Sequence, residues 1–133
     1  MRKGILAFDL GTSGVKCSVY LEDGTLLGAR YKEYETCYPG ADMREQRPQA
    51  WLEGIQEACQ ELAEDIARVQ ICAIGVSGHS LGALPVDAEG KLLVEQIPIW
   101  SDARAKEQAR RFFREVDYRT WYETTGNVFP AEL

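Results

Sequence analysis

Apolar positions change their period along this chain, and each change marks an element. Gly4 to Leu10 form a short apolar run ending in Asp9-Leu-Gly-Thr-Ser-Gly. Val15 to Leu21 resume a run rich in β-branched and aromatic residues, which predicts strand, polar turn, strand. Glu22-Asp23-Gly24 is a second turn with a strong Asp-Gly hairpin signal, and Thr25 to Thr36 then alternate as a third strand. A three-stranded antiparallel meander therefore opens the chain. Cys37 to Gln46, containing Pro39-Gly40, reads as a loop.

From Pro48 the period lengthens. Trp51, Ile55, Cys59, Leu62 and Ile66 recur at steps of three and four, while Glu53, Gln56, Glu57, Gln60, Glu61 and Glu64 fill the other side. This predicts an amphipathic helix of about five turns with proline in its first turn and an unfavourable glycine, Gly54, inside it. Ile71 to Ser77 is nearly all apolar, as expected of a strand buried on both faces at a sheet centre. Leu84 to Asp87 and Lys91 to Val94 flank Ala88-Glu89-Gly90 and predict a small hairpin. Ile97 to Trp100 is a further short strand, after which Ser101 or Asp102 is placed to cap a helix running to about Glu115. The alternation of strands with helices makes the fold class α/β with a mixed sheet. No repeat, low-complexity segment or linker interrupts it.

The chain has 133 residues, one domain's worth where domains take about 100 to 200. Its 45% apolar and 27% charged composition is that of a globular protein. A net charge of -6 argues against a broad basic surface for nucleic acid or anionic lipid, so any phosphate must be bound locally. No apolar run approaches the roughly 20 residues of a membrane span, and Asp9 interrupts the first run too early for a signal peptide. A cytoplasmic chain is the expectation. Cys17, Cys37, Cys59 and Cys72 show no C-x-x-C spacing and the single histidine is His79, so reduced, packed thiols are expected rather than a zinc site.

Three motifs carry chemistry. In Asp9-Leu-Gly11-Thr12-Ser13-Gly14-Val-Lys16 the two glycines permit close approach of backbone N–H groups to an anion, Thr12 and Ser13 add hydroxyls, and Lys16 adds charge. Asp9, at a strand end, is placed to hold magnesium directly or through water. A polar hairpin turn explains the same residues locally. The spacing is neither that of a Walker A loop nor that of a dinucleotide fingerprint. Gly78-His79-Ser80-Leu81-Gly82 matches the G-x-S-x-G elbow that would make Ser80 a nucleophile. Pro85 and a turn follow instead of a helical pattern, and no histidine lies downstream to serve as base, so a polar loop lining a pocket fits better. Trp100-Ser-Asp102-Ala-Arg104 closes a strand and opens a helix, and a cap with a solvated arginine accounts for it. Phe112, Phe113, Trp121, Tyr122 and Phe129 read as packing, and the tail leads into Thr125-Gly126-Asn127, a turn of the sort that lines sites.

In this order the motifs resemble the N-terminal part of the FGGY family of carbohydrate kinases, particularly its xylulokinase-like branch. The residues that carry the resemblance are DLGTSGVK, EQRPQAW before the long helix, AIGVSGHSLGALPVDAEGKLL, IPIWSDARA and TTGNVFP, which together span the chain. The resemblance implies a ribonuclease H-like, actin-like domain, cut short here, and transfer of the γ-phosphate of ATP to a sugar or polyol with Mg2+. It implies that Asp9 organises the metal and that Gly11, Thr12, Ser13, Gly14 and Lys16 face the phosphates. His79, Ser80 and Leu81 would approach the sugar, with Asp102, Arg104 and Asn127 beside it. Ser80 then becomes a recognition residue, although many relatives carry a Gln-Met-His-Gly type sequence where this chain has His79-Ser-Leu-Gly82. A non-catalytic actin-like nucleotide-binding module is the second reading and a serine hydrolase the third. Family members run several times longer, and the resemblance puts the catalytic base beyond Leu133. The expectation is therefore weak binding without turnover by this chain alone, and self-association through apolar surface left uncovered.

Overall fold

The computed structural model describes residues 1–127. Strands β1 (Arg2–Leu10), β2 (Gly14–Leu21) and β3 (Leu26–Glu33) form the expected meander, and β5 (Val69–Gly78) joins β1 in parallel, giving the order β3-β2-β1-β5. A parallel return needs a crossover. It is supplied by α1 (Pro48–Glu61) and α2 (Ala63–Ala67), which lie on one face of the sheet.

That face is set by alternation. Leu6, Phe8 and Leu10 of β1 and Val15, Cys17, Val19 and Leu21 of β2 point to the helices, where Ala58 and Leu62 meet them, with Ile55 and Cys59 packed at the side. Full burial of a side chain such as Leu62 contributes about 1.5 to 3 kcal/mol. Gly54 is explained by the closeness of the contact: a Cβ there would stand 3.0 Å from Cγ1 of Val15. The glycine lowers helix propensity but lets α1 settle against β2.

Several expectations are corrected. The long helix breaks at Leu62, whose φ and ψ are -95° and 6° and whose N–H is shared between the carbonyls of Ala58 and Cys59, a tightening that no proline or glycine announces. The segment expected to be buried at a sheet centre is an edge strand: β5 pairs with β1 alone, and Ile74 and Val76 are 64% and 70% exposed. Its apolar run is real, but nothing among the described residues packs beyond it. The 84–94 hairpin shrinks to one bridge, Val86 with Leu92, because Asp87 closes the turn with its own side chain, accepting from the N–H groups of Glu89 and Lys91 at 3.1 and 2.7 Å. The 37–46 loop contains β4 (Glu45–Gln46), which pairs antiparallel with β6 (Ile97–Pro98), the remnant of the strand expected to reach Trp100.

Helix α3 (Lys106–Glu115) starts later than expected, and neither Ser101 nor Asp102 caps it, since Asp102 is engaged elsewhere. Helix α4 (Tyr118–Thr125) was not expected, yet Asp117 caps it by accepting from Thr120 N–H at 2.8 Å and Gly126 ends it in the left-handed conformation at φ 65°. Phe112, Phe113 and Trp121 meet edge-on at 5.1 to 6.4 Å and Tyr118 lies tilted against Phe113 at 5.3 Å, joining the two helices in line with the packing role expected of Phe112, Phe113 and Trp121, whereas Tyr122 is 48% exposed. No helix among the described residues is long and apolar enough to cross a membrane.

Candidate functional site

The sheet face opposite the helices is open. Strand partners point to the same side, so Asp9, Lys16 and Ser77 stand in one row across β5, β1 and β2, with Ala7, Ser18 and Gly75 in the next. These residues line an open cleft of about 490 Å³. Asp9 and Lys16 are exposed, and neither forms an ion pair among the described residues.

At the end of this row the chain turns through Gly11–Gly14. The turn's carbonyls are all engaged by the protein. Gly14 C=O accepts from Gly11 N–H at 2.9 Å, Ser13 C=O from Tyr34 N–H at 3.2 Å, Thr12 C=O from Gln46 Nε2 at 2.6 Å, and Gly11 C=O from the Tyr34 hydroxyl. Burial first, then the neighbouring Tyr31 and Asp9, push the Tyr34 hydroxyl up to about 12, so it stays protonated and donates. The Thr12 Oγ1 accepts from Trp100 Nε1 at 2.8 Å, which leaves its own hydrogen to donate. Among the described residues, the amides of Thr12 and Ser13 donate to no protein acceptor. A turn whose acceptors are occupied and whose donors are free is suited to an anion.

The two glycines of the turn differ. A Cβ on Gly14 would collide with the carbonyl oxygen of Lys32 and stand 2.6 Å from the Tyr31 ring, so this glycine serves the packing of β2 on β3. A Cβ on Gly11 would meet only Gly14 O at 3.3 Å, and its amide is already used inside the turn. The donors left free in the turn are thus the amides of Thr12 and Ser13, with Lys16 exposed nearby, rather than the amide of Gly11.

A second cavity of about 310 Å³ is lined by Leu81, Pro98, Trp100, Asp102 and Arg104. The structure thus brings together three of the predicted sugar-side residues, Leu81, Asp102 and Arg104. Leu81 has φ 69°, a left-handed conformation unusual for leucine, and its exposed side chain is held over the cavity. Asp102, with a side chain only 4% exposed, accepts from Arg44 N–H at 2.6 Å, Arg104 N–H at 3.1 Å, Arg104 Nε at 2.8 Å and Arg104 Nη2 at 2.7 Å. Burial alone would raise its carboxyl, but these donors outweigh it and hold it below the usual aspartate range. Its four acceptor positions are filled. The same Nη2 of Arg104 also binds Glu45 at 2.7 Å, so the guanidinium is fixed in place, and these bonds raise its already high basicity.

His79 lies in sequence between Ser77, which lines the first cleft, and Leu81, which lines the second cavity. Its N–H donates to Leu10 C=O at 2.9 Å and its ring packs edge-on to Trp51 at 5.2 Å. Burial lowers its basicity, keeping it neutral at pH 7, and its Nδ1 is buried without a protein partner. Ser80 is exposed, and no helix follows it before α3, so the elbow geometry needed by a serine nucleophile is absent among the described residues. Asn127 is not brought to this cluster: its recorded hydrogen bonds are to Thr125, just after α4. The rest of TTGNVFP, with residues 128–130, lies outside the described residues. Gln46, Tyr34 and Trp100 were missed from sequence as site residues, although the Glu-Gln before Pro48 and the tryptophan before Ser101 were visible there as motifs.

A profile of the FGGY family of carbohydrate kinases, N-terminal domain, matches residues 4–131. The xylulose kinase of Bacillus subtilis (strain 168) is 32% identical over 112 residues, covering 82% of this chain and 22% of that protein. A solved structure described as a xyloylose kinase from Brucella ovis superposes with a TM-score of 0.81 at 33% identity, over 95% of this chain and 26% of the other. The xylulose kinase structure from Rhodospirillum rubrum reaches 0.88 at 20% identity, over 98% and 27%, and supports the fold alone. The arrangement these structures share with this chain is the ribonuclease H-like, actin-like one. The chain spans about a quarter of the length of the curated relatives it matches.

Proposed function

This chain belongs to the FGGY family of carbohydrate kinases, and we propose from its site that it contributes one wall of a cleft in which the γ-phosphate of ATP passes to a hydroxyl of a xylulose-like sugar or polyol. In this reading residues 1–133 are the N-terminal part of the first actin-like domain. The observation that carries it is the Gly11–Gly14 turn, with every carbonyl tied inward and the donors of Thr12 and Ser13 left beside Lys16.

No group of three or more His, Cys, Asp or Glu side chains capable of holding a metal occurs among the described residues. A lone carboxylate still fits Mg2+, which keeps several waters and takes its other oxygens from nucleotide phosphates. Asp9 would hold it, directly or through water, and the ion would neutralise charge on the transferred phosphoryl group. Lys16 and the amides of Thr12 and Ser13 orient the phosphates from the protein side. Leu81, Trp100 and the outer N–H groups of Arg104 shape the sugar side, with His79 and Ser80 at its entrance and Asn127 a more distant contributor. Among the described residues Asp102 is the only carboxylate lining that cavity, and with its acceptor positions filled and its carboxyl held ionised it makes a poor base. In this reading the base that deprotonates the accepting hydroxyl comes from outside the described residues, and this chain alone binds without turnover.

The alternative is a non-catalytic nucleotide-binding module with the same first turn. Sugar-dependent ADP release by a full-length protein carrying this chain separates the two. Release that is independent of sugar, or absent with every pentulose and polyol tried, would refute the kinase reading.

A further inference from the structure

Gln46, ahead of α1, is given no contact with phosphate or sugar in the reading above, yet it is 1% exposed and every polar atom of its side chain is engaged. Its Nε2 donates to Thr12 C=O at 2.6 Å and to Thr36 Oγ1 at 2.8 Å, and its Oε1 accepts from Trp51 Nε1 at 3.0 Å. Only this orientation of the amide matches two acceptors with N–H groups and the indole donor with the carbonyl. A buried amide left unsatisfied is costly, so a glutamine here implies a demand for both donors and the acceptor together. Glutamate would turn an acceptor oxygen toward the Thr12 carbonyl, which cannot donate, and methionine would fill the space without any bond.

The bond at Thr12 is long in sequence, 34 positions away, and it is matched by one still longer: Trp100, 88 positions away, donates to the same residue's hydroxyl. The turn has little of its own to hold it, with one internal backbone bond between Gly11 and Gly14. Gln46 and Trp100 follow from the small β4–β6 sheet, Gln46 within it and Trp100 two residues past its end.

Resting on the reading of the Gly11–Gly14 turn as a phosphate cradle, we propose that Gln46 and Trp100 are its positioning residues. Gln46 fixes the carbonyl of Thr12 and Trp100 fixes its hydroxyl, so that the free amides of Thr12 and Ser13 and the remaining hydroxyl hydrogen present one preset surface to the anion. Trp100 also lines the second cavity and is 43% exposed, so it ties that cavity to the turn.

The test uses the 133-residue chain labelled with 15N, inorganic tripolyphosphate as probe, and the indole and amide signals as reporters. In Gln46→Met, the ligand-free amides of residues 11–14 exchange faster and the Trp100 indole signal moves, although no hydrogen bond joins Trp100 to Gln46, while the β2 amides at Cys17 to Val19 keep their protection. Tripolyphosphate then binds about threefold to tenfold more weakly, the effect of one neutral hydrogen bond. Where Gln46→Met fails to fold, Trp100→Phe and Thr12→Val carry the test, with each single change weakening the probe and the pair together weakening it no further. Unchanged turn exchange and an unmoved Trp100 indole in folded Gln46→Met, or full additivity in the pair, would overturn the proposal. A wild-type chain whose Thr12 and Ser13 amides ignore tripolyphosphate would instead overturn the phosphate reading, and the ligand-free exchange data would still decide the positioning role.

Discussion

Asp9 and Lys16 are direct partners across β1 and β2 on the open face of the sheet, yet they form no ion pair with each other. Opposite charges at neighbouring, exposed positions that remain apart are both available to a third group. An anion accompanied by a divalent cation is the kind of ligand that uses both.

Each charge should then have its own signature in calorimetric titration with ADP. Lys16→Met lowers affinity about tenfold with or without Mg2+, the loss of one charge-assisted hydrogen bond. Asp9→Asn leaves the metal-free affinity intact and removes the gain that Mg2+ brings. Both side chains are exposed, so the melting temperature stays close to wild type. A Mg2+ gain that survives Asp9→Asn would remove Asp9 from the metal.

The glycines of the turn predict a contrast in stability. Gly14→Ala forces a methyl group against the Lys32 carbonyl and the Tyr31 ring and should destabilise the fold by about 1 to 3 kcal/mol. Gly11→Ala meets a single oxygen at 3.3 Å and should lose well under half of that. Urea denaturation of the two variants measures both, and equal losses would show that the turn relaxes around either methyl.

Which parts of the fold were readable follows from what each signal depends on. The meander and α1 rest on local periodicity and on turn residues such as Asp23-Gly24, so the alternation of Val15 to Leu21 and the three- and four-residue steps from Trp51 to Ile66 were enough. Position in the sheet is a tertiary property: the apolar run of Ile71 to Ser77 correctly indicated a strand, but not that the strand lies at the sheet edge with Ile74 and Val76 exposed. Asp102 looked like a cap because its local neighbours permit one. Its actual partners include Arg44, 58 residues away, which no spacing reveals. The same holds for Gln46 and Trp100, whose importance comes from a meeting at Thr12. Motif order, by contrast, encodes many long-range constraints at once, and it led to the family where single motifs left alternatives open.

The free edge of β5 predicts association of a second copy of this chain. Residues 71–78 carry no charge, and Ile74 and Val76 stand on the helix side of the sheet beyond the cover of α1 and α2. An uncharged, exposed edge is a template for pairing with another strand. Sedimentation should show concentration-dependent dimers, and Val76→Lys, which adds charge without touching the core cluster, should shift them to monomer. A wild-type chain that remains monomeric at high concentration would defeat this prediction.

Acid should weaken the fold in two separate windows. Burial lowers His79 below its ordinary value of 6.5, so the unfolded chain takes up that proton first; the stability His79 contributes is complete above pH 6.5 and declines as pH falls through the interval down to its folded value. His79 is the only histidine in the chain, so a change in melting temperature between pH 7 and pH 5 is assigned to it. Asp102 follows the same sign at lower pH. Its folded value lies below the ordinary 3.8, and its contribution is present above that pH and lost as pH falls through the folded value. Melting curves from pH 8 to pH 3 should therefore show two declines. His79→Gln removes the upper one and keeps the lower. Asp102→Asn lowers stability at neutral pH by about 1 to 3 kcal/mol, since it leaves donors from Arg44 and Arg104 poorly matched, and makes the lower decline shallower, the remainder belonging to Asp23, Glu61 and Asp117, which their own partners also lower. An upper decline that persists in His79→Gln would place the titrating group elsewhere and overturn the neutral, half-buried imidazole at His79.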